Sequence, residues 1–152
     1  MSPDDARKTL NTLQLDKNKL AVKNNTFKIS TENFKSIEIT IIREDNNNIL
    51  PIIMYFYGGG WILGNIDTHY NLLSKIALET HSAVVFVEYS LSPEAKYPKA
   101  LNQCYEATEY IYKNAPNYKL DSNKLIVAGD GVGGKMAAIV AILAKEENNG
   151  PK

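Results

Sequence analysis

The sequence has little cysteine, no excess of either charge and no long hydrophobic segment. Cys104 is the one cysteine among 152 residues, which excludes an internal disulfide and suggests a reducing, cytoplasmic location. Lysine plus arginine number 17 and aspartate plus glutamate also number 17, a balance that argues against a nucleic-acid-binding protein. The apolar runs are far shorter than the ~20 residues that span a bilayer. We therefore expect a soluble globular protein without a membrane span.

Alternating strand-like and helical patterns predict an α/β fold with parallel crossovers. Three nearly continuous apolar runs are typical of strands that are buried on both faces of a parallel sheet, and two earlier β-branched segments predict a strand pair. The predicted strands are 26–30, 36–43, 49–57, 82–89 and 124–129. Apolar residues at a spacing of three to four predict the helices. The predicted helices are 3–15, 69–80, 99–113 and a last helix that the loop 130–134 opens and that runs through about residue 147.

The glycine-rich loop after the last predicted strand has three interpretations. Gly129, Gly131 and Gly134 fit the G-x-G-x-x-G pattern of dinucleotide-binding folds. That fold also needs an acidic residue about 20 residues further on to hold the ribose, and this position falls outside the 152 residues. The same loop nearly forms a phosphate-binding P-loop, but Met136 stands where Ser or Thr would bind Mg²⁺.

The third interpretation is a nucleophile elbow, G-x-S-x-G, in which a sharp turn between a strand and a helix exposes a serine. The frame here is Gly129-Asp130-Gly131-Val132-Gly133, so a glycine occupies the serine position. Glycine at this position removes the hydroxyl and relaxes the strain of the turn in one step.

Four motifs occur in one order along the chain: YGGGW at 57–61, GNIDTH at 64–69, EYSLSPEAKYPKAL at 88–101 and GDGVGG at 129–134. From about Ser30 onward the chain resembles the hormone-sensitive-lipase-like branch of the α/β-hydrolase esterases, whose motifs are roughly HGGGW, G-x-x-x-TH, DYRLAPE-x-x-FPAAL and GDSAGG. The resemblance implies an incomplete, mostly parallel sheet of about five strands flanked by helices, without the C-terminal strands. It divides the chain into an N-terminal helical segment, 1–25, and a partial hydrolase domain, 26–152.

The resemblance also implies a set of site residues for acyl transfer, with no metal or cofactor. Serine would attack the ester carbonyl with histidine as base, but Gly131 occupies the nucleophile position. Backbone N–H groups would stabilise the oxyanion, and by motif position these belong to Gly59, Gly60 and Val132. The remaining motif positions are Tyr57 (in place of histidine), Gly58, Asp67, His69, Glu88, Glu94, Gly129, Asp130 and Gly133.

For several of these positions we expect a structural role rather than a catalytic one. His69 is expected to pack and to cap a helix, and His81 to lie in a surface turn. Glu88 and Glu94 are expected to hold loops through hydrogen bonds to the backbone. The family's acid and catalytic histidine lie in its C-terminal half, which is not among the 152 residues.

Two functions follow as hypotheses. The first is a truncated or degenerate carboxylic-ester hydrolase that is inactive by itself. The second is a non-catalytic binding or interaction module that uses the retained cleft or the exposed edge of the strand at 125–129, through which copies would self-associate.

Overall fold

The computed structural model of the protein describes residues 1–14 and 21–147. It contains a five-stranded mixed sheet with helices on both faces. The helices are α1 Pro3–Gln14, α2 Ile66–Thr80, α3 Lys99–Asn114 and α4 Val132–Glu147, and a 3₁₀ turn spans Ala115–Tyr118. The strands are β1 Val22–Ile29, β2 Ile37–Glu44, β3 Leu50–Phe56, β4 Ala83–Glu88 and β5 Leu120–Gly129. The predicted helix end at Leu15 and the tail after Glu147 lie outside the described residues.

The strand order β1-β2-β4-β3-β5 puts the three parallel strands together at one side of the sheet. β3 pairs in parallel with β4 and with β5, whereas β2 is antiparallel to both β1 and β4. Across the sheet, the chain moves toward β2 when it passes from β3 to β4, and away from β2 when it passes from β4 to β5. Right-handed crossovers therefore place α2 and α3 on opposite faces, and α4 packs beside α3. The α/β fold class is confirmed.

The predicted strand pair is confirmed, but two strands begin earlier than predicted. β1 pairs with β2 from Val22 onward, and β5 begins at Leu120. The first residues of both strands include polar side chains that face solvent, such as Asn24 and Asn123. Backbone hydrogen bonds extend both strands over these polar residues. No apolar alternation marks them in the sequence, so periodicity does not predict them. The division of the chain at residue 25 stays a prediction.

Helix α2 begins at Ile66, three residues before the predicted start. Asn65 caps it: its side chain accepts a hydrogen bond from the N–H of Thr68, whose hydroxyl accepts one from the N–H of Asn65. This reciprocal capping box satisfies two backbone donors that a helix start would otherwise leave unpaired. The apolar periodicity begins only after the cap, so the pattern alone places the start too late.

The core lies between the sheet and the helices on its two faces. Its fully buried large side chains include Phe56, Phe86, Leu73, Ile111 and Met136. Burying one such side chain contributes roughly 1.5–3 kcal/mol relative to leaving it exposed. Within residues 1–14 and 21–147, no helix is long and apolar enough to cross a bilayer.

Candidate active site

Three of the motif segments meet where the parallel strands end. β3 ends at Phe56, β4 at Glu88 and β5 at Gly129, and a motif segment follows each strand directly. In open α/β sheets, ligands bind outside the carboxyl ends of the strands. This edge of the sheet is therefore the candidate active site.

The turn between β5 and α4 has the shape expected of a nucleophile elbow. Gly131 lies at its apex with a φ of 53°, in the left-handed region, and α4 begins at the next residue. The N–H of Gly133 donates to the carbonyl of Asp130 (2.8 Å), and that of Gly134 to the carbonyl of Gly131 (3.1 Å). Glycine relieves the strain without changing the conformation, because it adopts positive φ at no steric cost.

The glycines of the site differ in whether they leave room for a side chain. A Cβ at Gly129 or Gly133 would overlap the carbonyl oxygen of Phe56, and one at Gly58 would also collide with facing backbone. These three glycines are required by close packing of the backbone. A Cβ at Gly131 would meet a single neighbouring atom, the Cα of Gly58 at 3.6 Å, which is ordinary van der Waals contact. The serine position therefore has space for a side chain that the chain does not supply.

Asp130 joins the glycine loop to the elbow. Its Oδ1 accepts hydrogen bonds from the N–H of Gly58 (3.0 Å) and the hydroxyl of Tyr55 (2.8 Å), and lies 3.2 Å from Nε2 of His69. Burial alone would raise the pKa of this carboxyl, but the three contacts together lower it below its usual value. Sequence reasoning places Asp130 in a motif but does not predict this role.

His69 lies in the first turn of α2 and is largely buried. Its ring packs near Tyr55, Tyr57 and Phe86, and its Nδ1 lies 2.8 Å from the hydroxyl of Thr68. The predicted packing role agrees with these contacts. The predicted capping role is wrong, because the capping box is made by other residues of this turn.

Tyr57 is fully buried where the family has histidine. Its ring stacks on Phe86 and on Tyr89, with centroids 4.9 and 4.2 Å away. The hydroxyl of Tyr89 donates to the carbonyl of Tyr57 (2.6 Å), and the hydroxyl of Tyr57 donates to the carbonyl of Tyr89 (3.4 Å). This reciprocal pair fixes the start of the glycine loop against the loop that follows β4, so bracing is retained with a different residue.

The predicted oxyanion donors lie in two turns: Gly59 and Gly60 in the glycine loop after β3, and Val132 at the start of α4. The carbonyl of Gly59 accepts hydrogen bonds from the N–H groups of Ile62 (3.2 Å) and Leu63 (2.9 Å), which closes the glycine loop. Gly60 is exposed, and a Cβ there would meet nothing within 4 Å. Val132 is the first residue of α4. The donation of these N–H groups to an oxyanion stays a prediction.

Arg7 connects α1 to the candidate site, and sequence reasoning missed it. Its guanidinium donates to the carbonyls of Ile62 (2.8 Å) and Ser92 (3.0 Å) and to both carboxylate oxygens of Glu94 (2.8 and 3.0 Å). The hydrogen bond from Arg7 lowers the pKa of the Glu94 carboxyl to about 2. The prediction that Glu94 holds backbone is thus corrected, because its partner from another segment is a side chain. Nothing in the local sequence around Arg7 signals a contact with residues so distant along the chain.

Glu88 is the last residue of β4, and Asp67 lies in the first turn of α2. Burial raises the pKa of the Glu88 carboxyl to about 7, although a hydrogen bond from the backbone of Ile66 opposes that rise. The loop-holding role of Glu88 stays a prediction. Asp67 is exposed in the first turn of α2, where the helix dipole favours negative charge.

The nucleotide-binding interpretations of the loop gain no support from the geometry. Met136, at the position where a P-loop needs a hydroxyl for Mg²⁺, is fully buried. Asp130, next to the turn, would place negative charge near a bound phosphate. In the described part of the chain, no three His, Cys, Asp or Glu side chains cluster in a way that could hold a metal ion.

A glycine loop and a strand-turn-helix elbow at the carboxyl ends of parallel strands define a protein of the α/β-hydrolase class. The chain belongs to the family described as alpha/beta hydrolase fold, whose model matches residues 53–152. This match confirms the predicted resemblance.

The relatives are hydrolases of about twice this length. The chain is 41% identical over its whole length to protein R526 of Acanthamoeba polyphaga mimivirus, named as an alpha/beta hydrolase, and spans 43% of it. It is 36% identical to Carboxylesterase NlhH of Mycobacterium tuberculosis over 67% of this chain and 32% of that one. A thermostable esterase from Pseudomonas putida matches with a TM-score of 0.92 and 37% identity, over 97% of this chain and 47% of that one. The chain thus spans about half or less of the length of the relatives that it matches.

Proposed function

We propose that the protein binds carboxylic esters at the glycine loop but does not hydrolyse them by itself. The observation that carries the proposal is Gly131 at the apex of the elbow, where the backbone keeps its turn and no hydroxyl can form an acyl-enzyme. An ester is the favoured ligand because relatives are named carboxylesterase and esterase. The exposed Gly60 adjoins open space in which an ester carbonyl could lie.

The second support is that both histidines of the chain have other partners. The ring of His69 contacts Asp130 through one nitrogen and Thr68 through the other. His81 lies at the far end of α2, where its Nδ1 is 2.8 Å from Oε1 of Glu44. A general base must lie within hydrogen-bond reach of the proton that it abstracts, so neither histidine is suited to activate a nucleophile at the elbow.

We expect the purified chain to hydrolyse p-nitrophenyl acetate no faster than buffer, because no acyl-enzyme can form. Methyl esters are nevertheless expected to shift the amide NMR signals of Gly59, Gly60 and Val132. Turnover well above buffer that is lost in Gly60→Ala would contradict the proposal. A Cβ at Gly60 meets no atom within 4 Å, but its φ of 62° costs alanine about 1–2 kcal/mol, so circular dichroism is used to check that the variant is folded.

A reducing, cytosolic location is part of the same proposal. Cys104 is fully buried, its Sγ lies 4.0 Å from Sδ of Met136, and burial raises the pKa of its thiol. A protonated, enclosed thiol reacts slowly and suits a compartment in which disulfides are rare.

A second candidate function is self-association through the edge of the sheet. Among the described strands, β5 pairs with β3 alone. Ile126, in the middle of β5, is 58% exposed. An exposed apolar edge strand is a template for pairing with another chain.

Light scattering on the purified chain is expected to report a mass above that of one copy, and Ile126→Lys to lower it, because a charge on an edge strand disfavours pairing. Ile142→Lys is the matched control, since Ile142 is 57% exposed but lies on α4. A stable monomer at all concentrations would refute the edge interface, as would an equal effect of both substitutions.

A further inference from the structure

A cleft of about 440 Å³ opens beside the glycine loop and contains two lysines but no carboxylate. Its apolar wall comes from Trp61 and Ile62 of the glycine loop, Leu101 of α3 and Ile139 of α4. Lys96 and Lys135 also line it. Within the described residues, no Asp or Glu lines this cleft. The cleft is therefore apolar in its walls and positively charged.

The two lysines are not neutralised by neighbouring acids. In the described part of the chain, neither Lys96 nor Lys135 has a carboxylate oxygen within 4.0 Å. The acid nearest to Lys96 along the chain, Glu94, is held by both terminal nitrogens of Arg7. The acid nearest to Lys135, Asp130, accepts hydrogen bonds from Tyr55 and Gly58. The positive charge of the cleft is thus available to a ligand.

Ser90 adds an oriented hydroxyl to the same cleft. Its Oγ accepts a hydrogen bond from Nε2 of Gln103 (2.9 Å), and its N–H donates to Oε1 of the same side chain (2.7 Å). These two bonds fix the serine and leave its hydroxyl proton free to donate. The polar groups that line the cleft beside the lysines can therefore serve a negatively charged ligand.

Gly60 separates this cleft from a second cavity, so the predicted oxyanion donor lies between two compartments. The second cavity, of about 360 Å³, is lined by the start of α1, including Pro3 and Ala6, and by Gly59 and Leu63. Within residues 1–14 and 21–147 its lining side chains are uncharged, and Met1 at its rim is the N-terminal residue of this chain. An ester bound with its carbonyl at Gly60 would extend one arm into each compartment.

We propose that the site selects esters whose arm in the lysine-lined cleft carries a carboxylate, while a short neutral arm lies on the α1 side. The selection comes from Lys96 and Lys135, with Ser90 as an additional donor. This inference rests on the proposed ester site and specifies that the ligand is negatively charged.

The test compares monomethyl adipate, a monoanion, with dimethyl adipate, its neutral analogue, by NMR titration of the amides of Gly59 and Gly60. Two exposed lysines attract the carboxylate of the monoanion, so we expect it to bind about tenfold more tightly than the neutral diester. Added salt should reduce this preference, because exposed charges are screened.

The substitutions distinguish the cleft from the overall charge of the protein. The double variant Lys96→Gln/Lys135→Gln is expected to bind both probes equally. The control Lys99→Gln/Lys145→Gln removes two exposed lysines that do not line the cleft and should keep the tenfold preference. Equal binding of the two probes to the unmodified protein, or a preference that survives in the first variant, would overturn this inference and leave the ester site standing. If neither probe shifts the two amides, the proposed ester site fails as well.

Discussion

Gly133→Ala is expected to destabilise the protein by more than about 3 kcal/mol, a large fraction of the 5–15 kcal/mol that holds most domains folded. Its Cβ would overlap the carbonyl oxygen of Phe56 and lie 2.6 Å from the carbonyl carbon. These are backbone atoms at the end of a central strand and cannot rotate away. Alanine favours a helix over glycine by about 1 kcal/mol, which is too little to offset the collision.

Gly134→Ala is the matched control for this prediction. Gly134 lies in the same first turn of α4, and its Cβ would approach the carbonyl oxygen of Gly129 at 3.3 Å. A small shift relieves that contact, so we expect stability within about 1 kcal/mol of the unmodified protein. Urea unfolding followed by circular dichroism measures both variants. Equal losses would mean that the close approach to β3 does not determine the effect.

Gly131→Ser is expected to fold but to remain about 10⁶-fold slower than an enzyme with an intact triad. The side chain has space, and its positive φ costs about 1–2 kcal/mol. Its hydroxyl has no base, because His69 and His81 have the partners described above. A serine without a base is a weak nucleophile.

Gly131→Ala separates the hydroxyl from the backbone cost, because it introduces the same Cβ at the same φ. Hydrolysis of p-nitrophenyl acetate and labelling by a fluorophosphonate, detected by mass spectrometry, are the measurements. We expect the serine and alanine variants to differ little in both. Rapid turnover or labelling of the serine variant alone would refute the prediction and would mean that a base reaches the elbow from another chain.

The sequence predicted the strands that are apolar on both faces and missed the ends that are not. The runs that form β3 and β4 are continuous because both faces of those strands are covered. The polar beginnings of β1 and β5 face solvent, so no apolar pattern marks them. The start of α2 depends on a capping box between Asn65 and Thr68. Both residues precede the apolar periodicity, so the periodicity alone places the start three residues too late.

The sequence by itself determined the family and the glycine at motif position 131, because a motif keeps its residue types and order whatever lies around it. Only the tertiary structure decided what Asp130 and Arg7 do, since their partners lie on segments far away along the chain. It also decided that Gly131 has space for a side chain whereas Gly133 has none. A glycine looks the same in every sequence, and the distance to the facing backbone is what distinguishes the two.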